Sequence, residues 1–259
     1  MDLGLQGKRA LVLGSTRSIG RGIAEVLAAE GAAVAVCGRD VSVAAATAAE
    51  LAGGTTRGYG VDLLDSGSVA ALIDAATADF GGMDIVVNNG GGPPPGGVVD
   101  VNPEVWAAQF QSMFLSQVEI TSAFLPGMRE RKWGRILVTS SSGVVQPIPG
   151  LGISNTLRGA LMGWAKTLAS EVAADGVTVN TILPGRIHTD RVDQIDQAAA
   201  KRLSKSVPEV VEASRASIPV GRYGTVAEYA DMAVFLLSAR AGYVTGSVVR
   251  VDGGFIRGV

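Results

Sequence analysis

The hydrophobic positions of the chain change period repeatedly, and each change marks a new element. Leu11-Val12-Leu13 is an apolar run that stops at the glycine- and serine-rich turn Gly14–Gly20. Beyond it Ile19, Ile23, Val26 and Leu27 return at intervals of three and four, the signature of one helix face. Ala33–Cys37, Arg57–Val61 and Met83–Val87 read as short buried strands, with helices over Val41–Leu51 and Ser66–Phe80 between them. A longer helix opens at Pro103 and runs to about Met128 through Trp106, Phe110, Met113, Phe114 and Val118. A strand over Arg135–Thr139, a helix through Leu157, Leu161, Trp164 and Leu168, and a strand over Val177–Leu183 follow. Thr225–Ser238 and Ser247–Val251 close the series as helix and strand. Strands separated by helices of this length need right-handed crossovers, so the pattern predicts an α/β fold built on one doubly wound parallel sheet.

Three segments escape the pattern. Asn88–Gly97 holds five glycines and Pro93-Pro94-Pro95, which forbid both helix and central strand. Ser140–Gly150 is a loop of serines, prolines and glycines. Arg186–Ser217 is polar and only loosely periodic, and is expected to form a mobile flap over the carboxyl edge of the sheet, where ligands bind in such architectures.

Composition narrows the picture. With 259 residues, 47% hydrophobic and 18% charged, the chain can bury one full core, and a single domain over residues 1–259 is expected. A net charge of −2 with no block of like charges gives no footprint for nucleic acid or an anionic membrane. Cys37 and His188 are the only residues of their kinds, which excludes an internal disulfide and argues against a metal site built on thiolates or imidazoles. No apolar run reaches the ~18 residues of a membrane span, and a soluble, cytoplasmic protein is expected.

The first turn carries the chemistry. Glycines there permit positive φ and let the N–H groups at a helix start approach a phosphate without a side chain intervening. The turn therefore predicts a seat for a nucleotide diphosphate.

Further motifs stand in order behind that turn: Val61-Asp62, Asn88-Asn89-Gly90-Gly91, Gly134-Arg135-Ile136, Val179-Asn180, Pro184-Gly185 with Thr189, and Val251-Asp252-Gly253-Gly254. As a set they resemble the short-chain dehydrogenase/reductase family, especially its β-ketoacyl-carrier-protein-reductase-like members. The resemblance implies a single-domain Rossmann-type fold with helices on both faces. It implies that Gly14, Ser15, Arg17, Ile19 and Gly20, with Thr16 and Ser18 between them, line the pyrophosphate and ribose of a nicotinamide cofactor. It implies further that Asp62 and Leu63 meet the adenine, that Asn89 and Gly90 lie under the adenosine ribose, and that Pro184, Gly185, Ile187 and Thr189 border the nicotinamide. The second strand ends in Gly38-Arg39, where an NAD enzyme tends to place an acid. Arg17 and Arg39 suit a 2′-phosphate, which favours NADP(H) over NAD(H), with Asp40 the alternative as a ribose ligand.

The resemblance fails at its chemical centre. Ser18 replaces the second glycine of the family turn, and Met113 stands at the position of the family's helix Asn. Ser141 best matches the family Ser, with Ser140 and Ser142 leaving the register open by one. Ser154 and Arg158 occupy the positions of the Tyr and Lys, so that Arg158 is expected to touch the cofactor ribose or a substrate oxyanion. An aliphatic hydroxyl is a poor acid, and a guanidinium does not give up its proton near neutrality. His188, near the nicotinamide side, is a candidate replacement acid, and Tyr223 a weaker one.

Three functions are compatible with this set. The first is NADP(H)-dependent reduction of a carbonyl, 3-oxoacyl or related, on a small-molecule or acyl-thioester substrate. The second is non-redox lyase, dehydratase or cyclase chemistry, and the third an inactive nucleotide-binding homologue. The apolar helices around Trp106–Val118 and Leu157–Leu168 are expected to pair with their copies in a homodimer or homotetramer.

Overall fold

The computed structural model describes residues 1–258. Seven strands form one parallel sheet in the order β3-β2-β1-β4-β5-β6-β7: β1 (Arg9–Val12), β2 (Ala33–Gly38), β3 (Thr56–Gly60), β4 (Ile85–Asn88), β5 (Gly134–Thr139), β6 (Val177–Pro184) and β7 (Val248–Val251). The chain starts at the centre, winds outward to β3, and returns to β4 beside β1. The order therefore reverses between β1 and β4, and such a reversal opens a crevice at the carboxyl ends of the strands.

Alternation along the strands divides the core in two. Val12, Val34, Val36, Val87 and Leu137 face α1 (Ser18–Ala29) and α9 (Val226–Leu237). Leu11, Ala35, Val86, Ile136 and Val138 face α3 (Ser66–Phe80), α5 (Ser116–Glu130) and α6 (Gly152–Val172). The inner strands are covered on both faces, which is why β1, β2 and β4 read as apolar runs.

Short polar side chains set the helix starts. Asp40 accepts from Ser42 N and Val43 N to begin α2 (Val41–Glu50), Asp65 caps α3, and Asn102 caps α4 (Pro103–Phe110). The single helix expected from Pro103 to Met128 is interrupted. Gln111–Leu115 forms one wide π-turn between α4 and α5, with Met113 buried within it.

The segment 186–217 carries more regular structure than its loose period suggests. The segment is largely helical, with α7 (Asp190–Leu203) followed by α8 (Val207–Ala216). Ser206 and Glu209 make a reciprocal capping box for α8. Buried Asp196 anchors α7, accepting from Arg186 at 2.8 Å and from the Tyr223 hydroxyl at 2.7 Å. The helical period is weak in sequence because α7 buries only Val192, Asp196 and Ala200, of which one is charged. None of the described helices is long and apolar enough to cross a membrane.

Candidate active site

The first turn is shaped by backbone contacts. Gly14 has φ +58°, and a Cβ there would stand 2.6 Å from the Asn89 carbonyl oxygen. A Cβ on Gly20 would meet the Gly14 oxygen at 2.2 Å. Asn89 straps the turn to the end of β4, donating to the Leu13 and Gly14 carbonyls at 3.1 and 3.3 Å. Ser15 is buried beneath: its hydroxyl donates to Val12 O at 2.6 Å and accepts from Cys37 N at 2.9 Å. Thr16 packs on Gly38. Ser15 and Asn89 thus hold the turn in shape through their side chains.

Ser18 sits at φ +52°, in the left-handed region that favours glycine. It begins α1, whose start has no side-chain cap and no acid in its first turn. The first N–H groups of α1 therefore have no side-chain acceptor, whereas α2, α3 and α4 each have one from their cap residue. Arg17 and Arg39 are exposed beside this opening, and neither side chain pairs with another described residue. Asp40 is turned into the cap of α2. Asp62 accepts from Leu64 N at 3.0 Å, and the Leu63 carbonyl accepts from Ser116 at 2.7 Å.

Farther along the carboxyl edge, the ends of β4 and β5 converge on Arg158 of α6. Its Nη1 donates to the Thr139 and Ser140 carbonyls at 2.8 and 3.3 Å, and Nη2 reaches Gly90 O at 3.5 Å. No described carboxylate pairs with it. Burial lowers its pKa, Arg191 lowers it further, and the buried Tyr229 phenol acts in the opposite direction. Ser154, one turn earlier, is buried and its hydroxyl makes no hydrogen bond with a described residue. The Ser141 hydroxyl accepts from Gly143 N at 3.1 Å, capping the short 3-10 turn Ser142–Val144. Met113 packs on Ile153 and Leu157.

Three polar residues that the sequence did not single out belong to this region. Gln117 follows Met113 by one turn, donates to its carbonyl at 2.9 Å, and keeps a buried Oε1 without a partner. Tyr229 is fully buried on α9, with its hydroxyl 3.4 Å from Ile182 O. Burial pushes the phenol's pKa up, opposed by Thr139 and Arg158. Arg191, on the first turn of α7, reaches across to Pro93 O at 3.3 Å. A buried Gln or Tyr in an otherwise apolar helix period was the available signal.

Of the residues expected beside the nicotinamide, Pro184 and Gly185 are neighbours of β7. Gly185 N donates to Val251 O at 2.9 Å, and a Cβ on Gly185 would meet Asp252 Cα at 2.6 Å. Pro184 ends β6, Ile187 is buried, and Thr189 precedes α7. His188 is not drawn into the group around Arg158: its imidazole is 68% exposed and lies 3.5 Å from Asp193. Tyr223 is likewise committed elsewhere, to Asp196, and burial with that carboxylate raises its pKa. The described residues contain no group of three or more His, Cys, Asp or Glu suited to a metal.

This sheet, with its uncapped first helix and convergent carboxyl edge, defines an oxidoreductase of the short-chain dehydrogenase/reductase family, and the chain belongs to that family. The family model described as enoyl-(acyl carrier protein) reductase matches residues 14–256. The chain is 37% identical over 259 residues to the D-beta-hydroxybutyrate dehydrogenase of Cupriavidus necator, covering 97% of this chain and 99% of the relative. It is 35% identical over 254 residues to the 3-oxoacyl-(acyl-carrier-protein) reductase of Vibrio cholerae, covering 97% and 98%. Among solved structures, L-sorbose reductase from Gluconobacter frateurii, complexed with NADPH and L-sorbose, superposes with a TM-score of 0.94 at 33% identity over the full length of both chains.

Proposed function

We propose that the protein is an NADP(H)-dependent reductase of a carbonyl substrate, 3-oxoacyl or a related small molecule, with a non-standard set of proton-handling residues. The observation that carries the cofactor reading is the tip of β2: Arg17 and Arg39 stand without acidic partners while Asp40 is used as a helix cap. A 2′-phosphate satisfies both guanidiniums through charge-assisted bonds. The uncapped start of α1 fits the diphosphate, and Asp62, Leu63, Asn89, Gly90, Pro184, Gly185, Ile187 and Thr189 border the rest of the cofactor. NADPH supplies the hydride when bound.

The chain's own groups then hold the carbonyl. Ser141 and Ser154 donate hydrogen bonds to its oxygen, and Arg158 supplies the positive charge that favours a developing oxyanion. Arg158 stays protonated at neutral pH, so the proton reaches the oxygen through a hydroxyl or water, and His188 is assigned no part in it. The absence of a phenol beside Arg158 on α6 also supports a second reading, a non-redox lyase, dehydratase or cyclase that uses the same guanidinium to stabilise an enolate.

Turnover distinguishes these readings. NADPH oxidation is followed by absorbance with a panel of ketones and β-ketoacyl thioesters. Oxidation supports reduction; NADPH binding with no oxidation across the panel removes it in favour of the second reading or of an inactive homologue. The pair Ser154→Tyr with Arg158→Lys is expected to raise the rate on ketones by placing a phenol beside an ammonium. We propose also that the α4–α5 and α6 faces pair with copies in a homodimer or homotetramer. Val105, Phe110 and Leu115 are each about two-fifths exposed there. A monomer by light scattering would refute this.

A further inference from the structure

Arg158 and Arg191 grip the same loop from two sides. Arg158 Nη2 approaches the Gly90 carbonyl at 3.5 Å, and Arg191 Nη2 donates to the Pro93 carbonyl at 3.3 Å. Arg191 Nη2 also stands 3.5 Å from the position a Cβ on Gly92 would take. The two carbonyls are three positions apart in sequence, so at full extension they are about 11 Å apart at most. Neither guanidinium has a carboxylate within ion-pair distance among the described residues. Arg9 has Asp84 and Arg186 has Asp196, whereas Arg135, also buried and without a carboxylate, donates to the Ser238, Gly134 and Gly176 carbonyls and lies over the Trp133 ring.

The donors of Arg158 are used unevenly. Nη1 donates to two carbonyls and Nη2 to the Gly90 carbonyl at 3.5 Å, while Nε–H has no acceptor among the described residues. The Nε and Nη2 hydrogens on one edge of a guanidinium form the parallel fork that matches a carboxylate. Arg191 uses one donor only. Two like charges on one glycine-rich loop, with donors in reserve and no carboxylate partner among the described residues, form a site that suits an anion.

We infer that Arg158 and Arg191 form a carboxylate clamp, and that the substrate is a small oxo acid whose carboxylate they hold. This rests on the reductase reading above. The clamp lies beyond the ends of β4 and β5, whereas the uncapped α1 turn assigned to the cofactor diphosphate lies at the end of β1. Arg158 is the inner member and Arg191 the exposed one, on the first turn of α7.

The test uses the full-length protein in two stages. NADPH is first titrated alone by fluorescence into wild type, Arg191→Met and Arg191→Lys. Oxo acids from acetoacetate to phenylpyruvate, each beside its methyl ester, are then titrated calorimetrically into the NADP+-loaded protein. The clamp predicts at least one acid bound about tenfold or more tighter than its ester, a preference lost in Arg191→Met and partly kept in Arg191→Lys, with NADPH affinity unchanged by either. Acids and esters binding alike, or no acid binding, overturns the clamp while leaving the cofactor reading intact. A loss of NADPH affinity in Arg191→Met overturns it too, by making the cofactor phosphates the anion. Failure of wild type to bind NADPH at all is a failure of the underlying reading, visible before any acid is added.

Discussion

The two halves of the sheet's carboxyl edge use polar groups in different ways. At the ends of β1 and β2 the surface is made by backbone: glycines packed against carbonyls, open N–H groups at the start of α1, and exposed arginines at the margin. At the ends of β4 and β5 it is made by side chains, with Arg158 tied to three carbonyls and Gln117, Ser154 and Tyr229 buried around it. A backbone surface tolerates changes of side chain, provided no Cβ intrudes. A side-chain surface changes its chemistry with every substitution. Fold and family therefore constrain the backbone half more than the reaction at the side-chain half.

The largest effect expected lies on the side-chain half. Asp196→Asn removes the buried carboxylate shared by Arg186 and Tyr223, and breaking such a pair costs about 3 kcal/mol or more. Hydrogen exchange of α7 should accelerate strongly while β1 and α1 remain protected. Equal acceleration of both would contradict the separation of the two regions.

The backbone half is sharpened by charge reversal. Arg39→Asp exchanges a phosphate partner for a ribose partner, and loss of a charged hydrogen bond of about 1.5–3 kcal/mol corresponds to roughly a 10- to 100-fold weaker NADPH Kd. NADH affinity should rise in the same variant. Unchanged NADPH affinity would leave Arg39 a solvated surface residue.

Acid stability tests a structure that both halves share. Burial pushes the Asp84 carboxyl up, but bonds from the Arg9 side chain and backbone, with Arg131 nearby, hold it below the ordinary aspartate value. A lowered folded pKa stabilises the protein above the unfolded value of 3.8, and that contribution disappears as pH falls through the lower folded value. Asp84→Asn should flatten the fall of Tm in that acid range, and a wild-type-like profile would contradict the assignment.

The smallest effect is expected at Ser18, where φ is +52°. Ser18→Gly relieves about 1 kcal/mol of left-handed backbone strain, less the added entropy of the unfolded chain. A small rise in Tm with tighter NADPH binding is expected; a lower Tm with weaker binding would show that the hydroxyl contributes more than the strain costs.

Much of the fold was legible because apolar period reports burial. The strands flanking Gly14, Asn88 and Thr139 and the helices between them stand close to where the pattern puts them. The helices of 190–216 were missed because α7 and α8 bury few residues, Val192, Asp196, Ala200 and Val210 among them, so little apolar period was available. At the site, residue type alone pointed to His188 and Tyr223, and geometry shows the first facing solvent and the second bound to Asp196. Arg191, Gln117 and Tyr229 were passed over for the converse reason. For Arg191 and Tyr229 the meaning comes from what lies across space, the Pro93 carbonyl and the Thr139–Ile182 edge, which sequence spacing does not reveal.

The central claim is that the backbone half is a working cradle for a 2′-phosphorylated cofactor, whatever the side-chain half does to its substrate. Parallel fluorescence titration of wild type with NADPH and NADH tests it most directly. The account predicts a Kd for NADPH at least about tenfold below that for NADH, the equivalent of one charge-assisted bond or more. NADH binding as tightly as NADPH, or more tightly, would contradict it.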